Sequence, residues 1–352
     1  MTSKYIFGLF LSATMLLFAC GSDNEAPTTG GQPNSEWTIP STEVFDGGPG
    51  QDGIPSVDSP NFSPISDIDF LSDTELVVGV VDGDVAKAYP HVILDWHEIV
   101  NDKVGATNVA VTYCPLTGTA LGWNRMVNNE LVTFGVSGKL YNTNLMPFDR
   151  TTESYWTQLG LECVNGDWIN STVDFVPAIE MSWGAWKAAF PNSLVMNTNT
   201  GFNRSYGVYP YGDYRTNNSN IIFPVDPFDN RLPSKERVLG VIGEETNRSY
   251  SIDLFGIGRV IADTLDNSAL IVVGSRLQNF IVGYENNLDL TGITFVPGSL
   301  PVVAASDQGD MITIDGRIID GPNAGQSLNT TRSWIGYWVS FGAFYPNIEI
   351  FE

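Results

Sequence analysis

The chain can be laid over itself without a gap so that Leu71 to Phe134 fall on Leu232 to Phe295. A repeat of that length confines the fold to one supersecondary unit built twice. Gly79-Val80 meets Gly240-Val241, Tyr89 meets Tyr250, Asp102 meets Asp263, and Thr133-Phe134 meets Thr294-Phe295. The apolar pattern agrees, since Val109 to Val111 face Leu270 to Val272. At a slightly smaller offset, Ala188-Ala189-Phe190-Pro191-Asn192 resembles Ala343-Phe344-Tyr345-Pro346-Asn347. The expectation is two related halves, residues 65–200 and 232–352, joined by a Tyr/Pro/Asn-rich connector over 201–231.

Each half opens on a strand, an acidic Gly-containing turn and a second strand, Leu76 to Val81 and Val85 to Tyr89 in the first. Leu94 to Val100 reads as a short helix or a continuing strand, and Val109 to Tyr113 as a buried strand. Ala120 to Met126 and Leu131 to Val136 flank the turn signal Asn128-Asn129. The aromatic runs Trp183 to Phe190 and Trp334 to Tyr345 read as amphipathic helices stopped by Pro191 and Pro346. The fold class expected is α+β and β-rich, two halves packed into one compact body with a few short helices.

Residues 1–19 carry Lys4 and then an apolar stretch too short for a membrane span, the pattern of a signal peptide. The end of that stretch, Leu17-Phe18-Ala19-Cys20-Gly21, resembles the lipobox of bacterial lipoproteins, in which the cysteine becomes the lipidated first residue. Acyl chains on Cys20 would bury methylenes in a bilayer at about 0.8 kcal/mol each. Residues 20–64 are rich in Gly, Pro, Ser, Thr, Asn and Asp and read as a flexible acidic tether with local apolar punctuation. The implied location is the bacterial cell envelope, lipid-anchored to the outer membrane and facing the periplasm or the surface.

With 352 residues and 43% hydrophobic content the chain can build a sizeable core. Lys+Arg number 17 against 40 Asp+Glu, a net charge of −23, and no basic cluster offsets it locally. A phosphate backbone would be repelled, so nucleic-acid partners are excluded. Three cysteines without a paired CxxC motif make neither a disulfide framework nor a structural zinc site.

Comparison of the two copies shows where chemistry is retained on one side only. Cys114 faces Ser275, His97 faces Gly258 and His91 faces Ile252. Cys114 stands where a buried strand emerges into the turn Pro115-Leu116-Thr117-Gly118, and His97 would lower its pKa or take its proton. The alternative is a buried, inert thiol. His91, His97 and Cys114, with a carboxylate or Met146 as a fourth, form the metal-ligand inventory, a soft His/Cys set that would suit copper or zinc, with His97 and Cys114 as its centre. Cys163 is a partner for Cys114 in an oxidising compartment.

Ala88-Tyr89-Pro90, Trp96-His97-Glu98-Ile99-Val100-Asn101-Asp102, Val111-Thr112-Tyr113-Cys114-Pro115-Leu116-Thr117-Gly118, Phe134-Gly135-Val136-Ser137-Gly138, Leu140-Tyr141-Asn142 and Phe148-Asp149-Arg150 to Glu153-Ser154-Tyr155-Trp156 together resemble the uncharacterised bacterial family called domain of unknown function 3179. The resemblance runs from about residue 70 to 350. Many members carry a second cysteine three residues after the first, where this chain has Thr117, which removes a shared CxxC role. The family implies no established reaction.

Arg150 between Asp149 and Glu153 reads as a structural ion pair or as a fork for an anionic substrate group, with Glu153 as general acid or base if buried. Ser137, Tyr141 and Asn142 would supply neutral donors beside it, and Trp156 an aromatic wall. Phe134-Gly135-Val136-Ser137-Gly138 is not the G-x-S-x-G elbow of serine hydrolases. The tyrosine-dense stretch Tyr206 to Tyr214 reads as a loop packing the halves together or as a platform for a sugar or aromatic ligand.

These residues leave two functional classes. The first is an enzyme using thiol- or metal-assisted chemistry on a small polar substrate, with Cys114 as nucleophile or ligand and His97 as partner. The second is a noncatalytic surface module binding a glycan or protein partner through tyrosines and tryptophans.

Overall fold

The computed structural model describes residues 36–352. The signal segment 1–19 and Cys20 lie outside the described residues, and among those described no helix is long and apolar enough to cross a membrane. The architecture is β-rich with three short α-helices, as the alternating apolar pattern implies.

The hairpin Leu76–Asp82 and Val85–Pro90 pairs antiparallel. Ile179–Ser182 adds antiparallel beside its first strand and Leu194–Met196 parallel beside its second. A second sheet runs Ile99–Val104, Thr107–Cys114, Thr119–Asn124 and Phe175–Val176 in spatial order. A meander from Phe134–Tyr141 to Glu162–Asn165 lies in sequence between its last two strands. The C-terminal set has the same order. Ser333–Tyr337, Arg237–Ile242, Asn247–Ser251 and Glu349–Ile350 make one sheet, with the last pairing parallel. Arg259–Leu265, Ser268–Ser275, Phe280–Glu285 and Asn329–Thr330 make the next, with its own meander over Thr294–Asp320.

The helices are α1 (His91–His97), α2 (Trp183–Ala189) and α3 (Trp338–Phe344). Two departures from the expected pattern follow from backbone pairing. Leu94 to Val100 divides between α1 and the strand beginning at Ile99. The run from Trp334 begins as strand, because Ser333–Tyr337 pairs with Arg237–Val241 before α3 starts. Asn128-Asn129, at φ 49° and 65°, turns a two-residue hairpin of Met126–Val127 with Glu130–Leu131. Strand Phe134–Tyr141 therefore belongs to a different sheet from Thr119–Asn124.

Packing of α2 and α3 rests on two glycines. A Cβ on Gly79 would stand 1.9 Å from the Trp186 ring, and one on Gly240 would stand 2.0 Å from the Phe341 ring. Only glycine lets those rings lie on the hairpin. Trp123, Trp156, Trp183, Trp186 and Trp338 are all buried, each worth about 2–3 kcal/mol of burial. Beneath each hairpin a cation and a tyrosine converge on one carboxylate. Lys87 and Tyr89 meet Asp102 at 2.8 and 2.7 Å, while Arg248 and Tyr250 meet Asp263 at 2.7 and 2.6 Å.

The two sets lock to each other through the backbone. Tyr337 donates its N–H to the Thr117 carbonyl at 2.7 Å, and Ser182 donates to the Gln278 carbonyl at 3.0 Å.

One expectation is corrected. Residues 36–64 are not a free tether, because their backbone groups are used. Val44–Asp46 pairs with Lys139–Tyr141, Phe62–Pro64 pairs with Leu194–Met196, and buried Val57 exchanges hydrogen bonds with Ile99 and Asn101.

Candidate functional site

Cys114 ends the strand Thr107–Cys114 with only 1% of its surface exposed. Its sulfur accepts the Leu145 N–H at 3.3 Å and its S–H points to the Thr143 carbonyl at 3.8 Å. Burial, and then the neighbouring Glu98 charge, pushes the thiol up. Glu98 caps α1 at φ 57° and ψ −32°, a left-handed conformation usually left to glycine. Such a conformation costs a bulky residue about 1–2 kcal/mol and persists because its surroundings hold it. Here the Glu98 N–H reaches the Leu94 carbonyl at 2.8 Å and its own carbonyl receives the Tyr113 N–H at 2.6 Å.

The connector folds its tyrosines onto this corner. Tyr211 donates to Glu98 Oε1 at 3.3 Å and Tyr209 to the Pro115 carbonyl at 3.2 Å. The Arg215 guanidinium lies 3.6 Å from the centre of the Tyr209 ring and 3.3 Å from buried Asp95 on α1. His91, also on α1, stands 3.2 Å from Glu180, which pairs in turn with Arg237.

The C-terminal set contributes Lys235, 8% exposed, whose Nζ sits 3.2 Å from the centre of the Tyr214 ring and 5.4 Å from that of Tyr337. Among the described residues that Nζ has no hydrogen-bond partner, and the same holds for the Asn144 side-chain oxygen. Buried polar atoms left without partners are rare enough to call for a ligand or water.

The electrostatics follow from burial. Desolvation brings the Lys235 amine down to about 7 and pushes the Glu98 carboxyl, 7% exposed, up to about 8. It brings His91 down to about 3 and Asp95 up to about 6. Near neutral pH the corner therefore holds a mostly protonated acid and an amine divided between its charged and neutral forms, both able to exchange protons.

Several residues singled out from sequence lie elsewhere. His97 does not pair with Cys114, because its Nδ1 faces the Pro55 carbonyl at 2.8 Å and its Nε2 the Tyr206 hydroxyl at 2.7 Å. Both nitrogens are occupied, and burial pushes the imidazole down rather than charging it. The Arg150 fork is filled by Asp52, with both contacts at 2.7 Å, and by Ser56 at 3.0 Å, which leaves no place for a substrate anion. Glu153 is exposed in a turn at φ 58° and lacks the burial its acid role required.

Ser137 bonds the Met146 carbonyl across a strand irregularity, Asn142 accepts the Asp226 N–H at 2.8 Å, and Tyr141 packs edge-on to Phe344. Trp156 is core, with its indole N–H on Asp149 at 3.0 Å. Cys114 and Cys163 are both free thiols, so no bridge joins them, and burial pushes Cys163 up to about 12. Among the described residues no three His, Cys, Asp or Glu side chains converge as a metal site, so the copper or zinc expectation gains no ligand set around His97 and Cys114. Iodoacetamide at pH 8 should leave both thiols unmodified in folded protein and modify them after denaturation. Rapid labelling of native Cys114 would contradict its sealed position.

Of the residues that do converge, Glu98 and the connector tyrosines stood in segments the sequence had marked. Tyr337 stood in the aromatic run Trp334 to Tyr345 but was read there as helix, while Lys235, Arg215 and Arg237 carried no signal, since their neighbours come from distant chain.

A family model described as a protein of unknown function (DUF3179) matches residues 51–348. No curated protein and no solved structure is similar enough to match. Because the matched span takes in both sheet sets, the connector and every residue of the Cys114 corner, the chain belongs to the DUF3179 family.

Proposed function

We propose that this is a lipid-anchored protein of the bacterial envelope, held by Cys20, whose buried corner performs acid–base or amine chemistry on a small polar molecule bearing a carbonyl or carboxylate group. The observation that carries this is the Lys235 amine, buried without a hydrogen-bond partner and sharing the Cys114 thiol as an electrostatic neighbour with the raised carboxyl of Glu98. A neutral amine near pH 7 is a base or a carbonyl nucleophile, and a protonated acid is the complementary donor. Cys114 supplies a neutral, polarisable wall rather than a thiolate, and the tyrosine arm of the connector covers the corner.

The matching strand orders, the matched Gly79 and Gly240 contacts and the paired Asp102 and Asp263 clusters support an origin by internal duplication. On that reading one copy kept the acid while the other supplied the amine. A second role, docking of a protein or glycan partner, draws on Phe202, Val208, Ile222 and Phe228, which the connector exposes.

The test uses glyoxylate with cyanoborohydride on the mature protein at pH 7. The aldehyde condenses with an amine, water leaves, and hydride fixes the adduct. Lys235 should be modified ahead of the other lysines, as read by peptide mass spectrometry. Modification confined to surface lysines, with Lys235 spared, would remove the amine reading.

A further inference from the structure

Between the two hairpin sheets lies a cavity of about 150 Å³, whose lining includes none of Cys114, Glu98 or Lys235. Val78 and Leu239, from corresponding positions of the two hairpins, face into it, and Ile281 and Ile335 complete its apolar wall. Room exists because Ala120 and Ala178 are small where larger side chains would close the seam. A cavity of this volume with an apolar wall accommodates a single benzene-sized ring.

Its polar rim is one-sided. Glu180 and Asp315 bring carboxylates, Ser333 and Thr331 bring hydroxyls, and neither lysine nor arginine is among the lining residues. Glu180 is buried and held in place by Arg237 and by His91 at 3.2 Å. Each carboxylate is ion-paired behind the rim, Glu180 with Arg237 and Asp315 with Arg317 at 2.7 Å, so neither cation faces the cavity. The acceptor capacity left there with the Ser333 and Thr331 hydroxyls favours a ligand that ends in a donor over one that ends in an anion.

We propose that this seam cavity is a binding site for a single-ring apolar molecule carrying an alcohol or amine group, with the ring among the aliphatic side chains and the donor toward Glu180 and Ser333. The site is independent of the amine chemistry at Lys235.

The probes are benzyl alcohol, benzylamine and benzoate, titrated into the mature protein by calorimetry. The first two should bind saturably, with benzoate at least tenfold weaker. Ala178→Leu should abolish binding of both without lowering the melting temperature, and Lys235→Met should leave binding unchanged. Should Ala178→Leu fail to fold, Ala120→Val provides the same obstruction from the opposite wall. Absence of saturable binding, binding that survives both obstructions, or benzoate binding as tightly as benzylamine would each overturn the proposal.

Discussion

Glu98→Gln should match the parent protein in stability near pH 4.5 and exceed it at pH 9 by on the order of 5 kcal/mol, the value of moving a carboxyl from 4.5 to about 8. The sign follows from proton counting. Between pH 4.5 and 8 the unfolded chain has released the Glu98 proton while the folded chain retains it. Stability from this group is therefore full on the acid side, falls as pH rises through that window, and is absent above it. Glutamine keeps the shape of the protonated acid and never ionises, so its profile lacks this descent. The Tyr211 hydroxyl, 3.3 Å from Glu98 Oε1, retains an acceptor in the variant. Denaturant midpoints at pH 4.5 and pH 9 decide the matter, and parallel profiles for the two proteins would mean that the carboxyl is not sealed as described.

Lys235→Met reverses the slope. Burial holds this amine at about 7 instead of 10.5, so between those values the unfolded chain carries a proton that the folded chain has lost. In the parent, stability therefore rises with pH from 7 to 10.5, and below pH 7 the folded state bears a buried cation without a hydrogen-bonding partner. Methionine removes that charge with similar volume. The gain at pH 6 should be about 2 kcal/mol, moderated by the lost contact between the ammonium and the Tyr214 ring at 3.2 Å, and should vanish toward pH 10.5. Thermal and denaturant unfolding across that range test it, and a loss of stability at pH 6 would show the amine to be structurally paired. The same variant should no longer condense with glyoxylate at this position. In the parent protein the descending and ascending contributions of Glu98 and Lys235 meet between pH 7 and 8.

The sequence made legible whatever depends on local pattern and on short-range turn chemistry. The hairpin at Leu76, the buried strand at Val109 and the stop signals at Pro191 and Pro346 all follow from alternation and breakers, and the β-rich class follows from their sum. The division of Trp334 to Tyr345 into strand and helix was hidden, since an aromatic run satisfies either period until its partner strand is known. The site was legible only on one side. Cys114 stood out by type and by its place at a strand end, but its neighbours are set by topology. His97, the residue immediately before Glu98, turns to Pro55 and Tyr206, while Lys235 arrives from the other sheet set to lie over Tyr214. Arg150 looked like a substrate fork because Asp52 is remote in sequence.

The hydrogen bond from Tyr337 to the Thr117 carbonyl also sets a timetable. During synthesis the turn that follows Cys114 emerges well before the strand that satisfies it, which lies far downstream in the chain. Neither Lys235 nor Tyr337 exists when the thiol and acid are already on the growing polypeptide. The corner is thus assembled only once Ser333–Tyr337 has been made, and any product truncated before that strand would present an exposed carbonyl and an open seam, features by which proteases select incompletely folded chains.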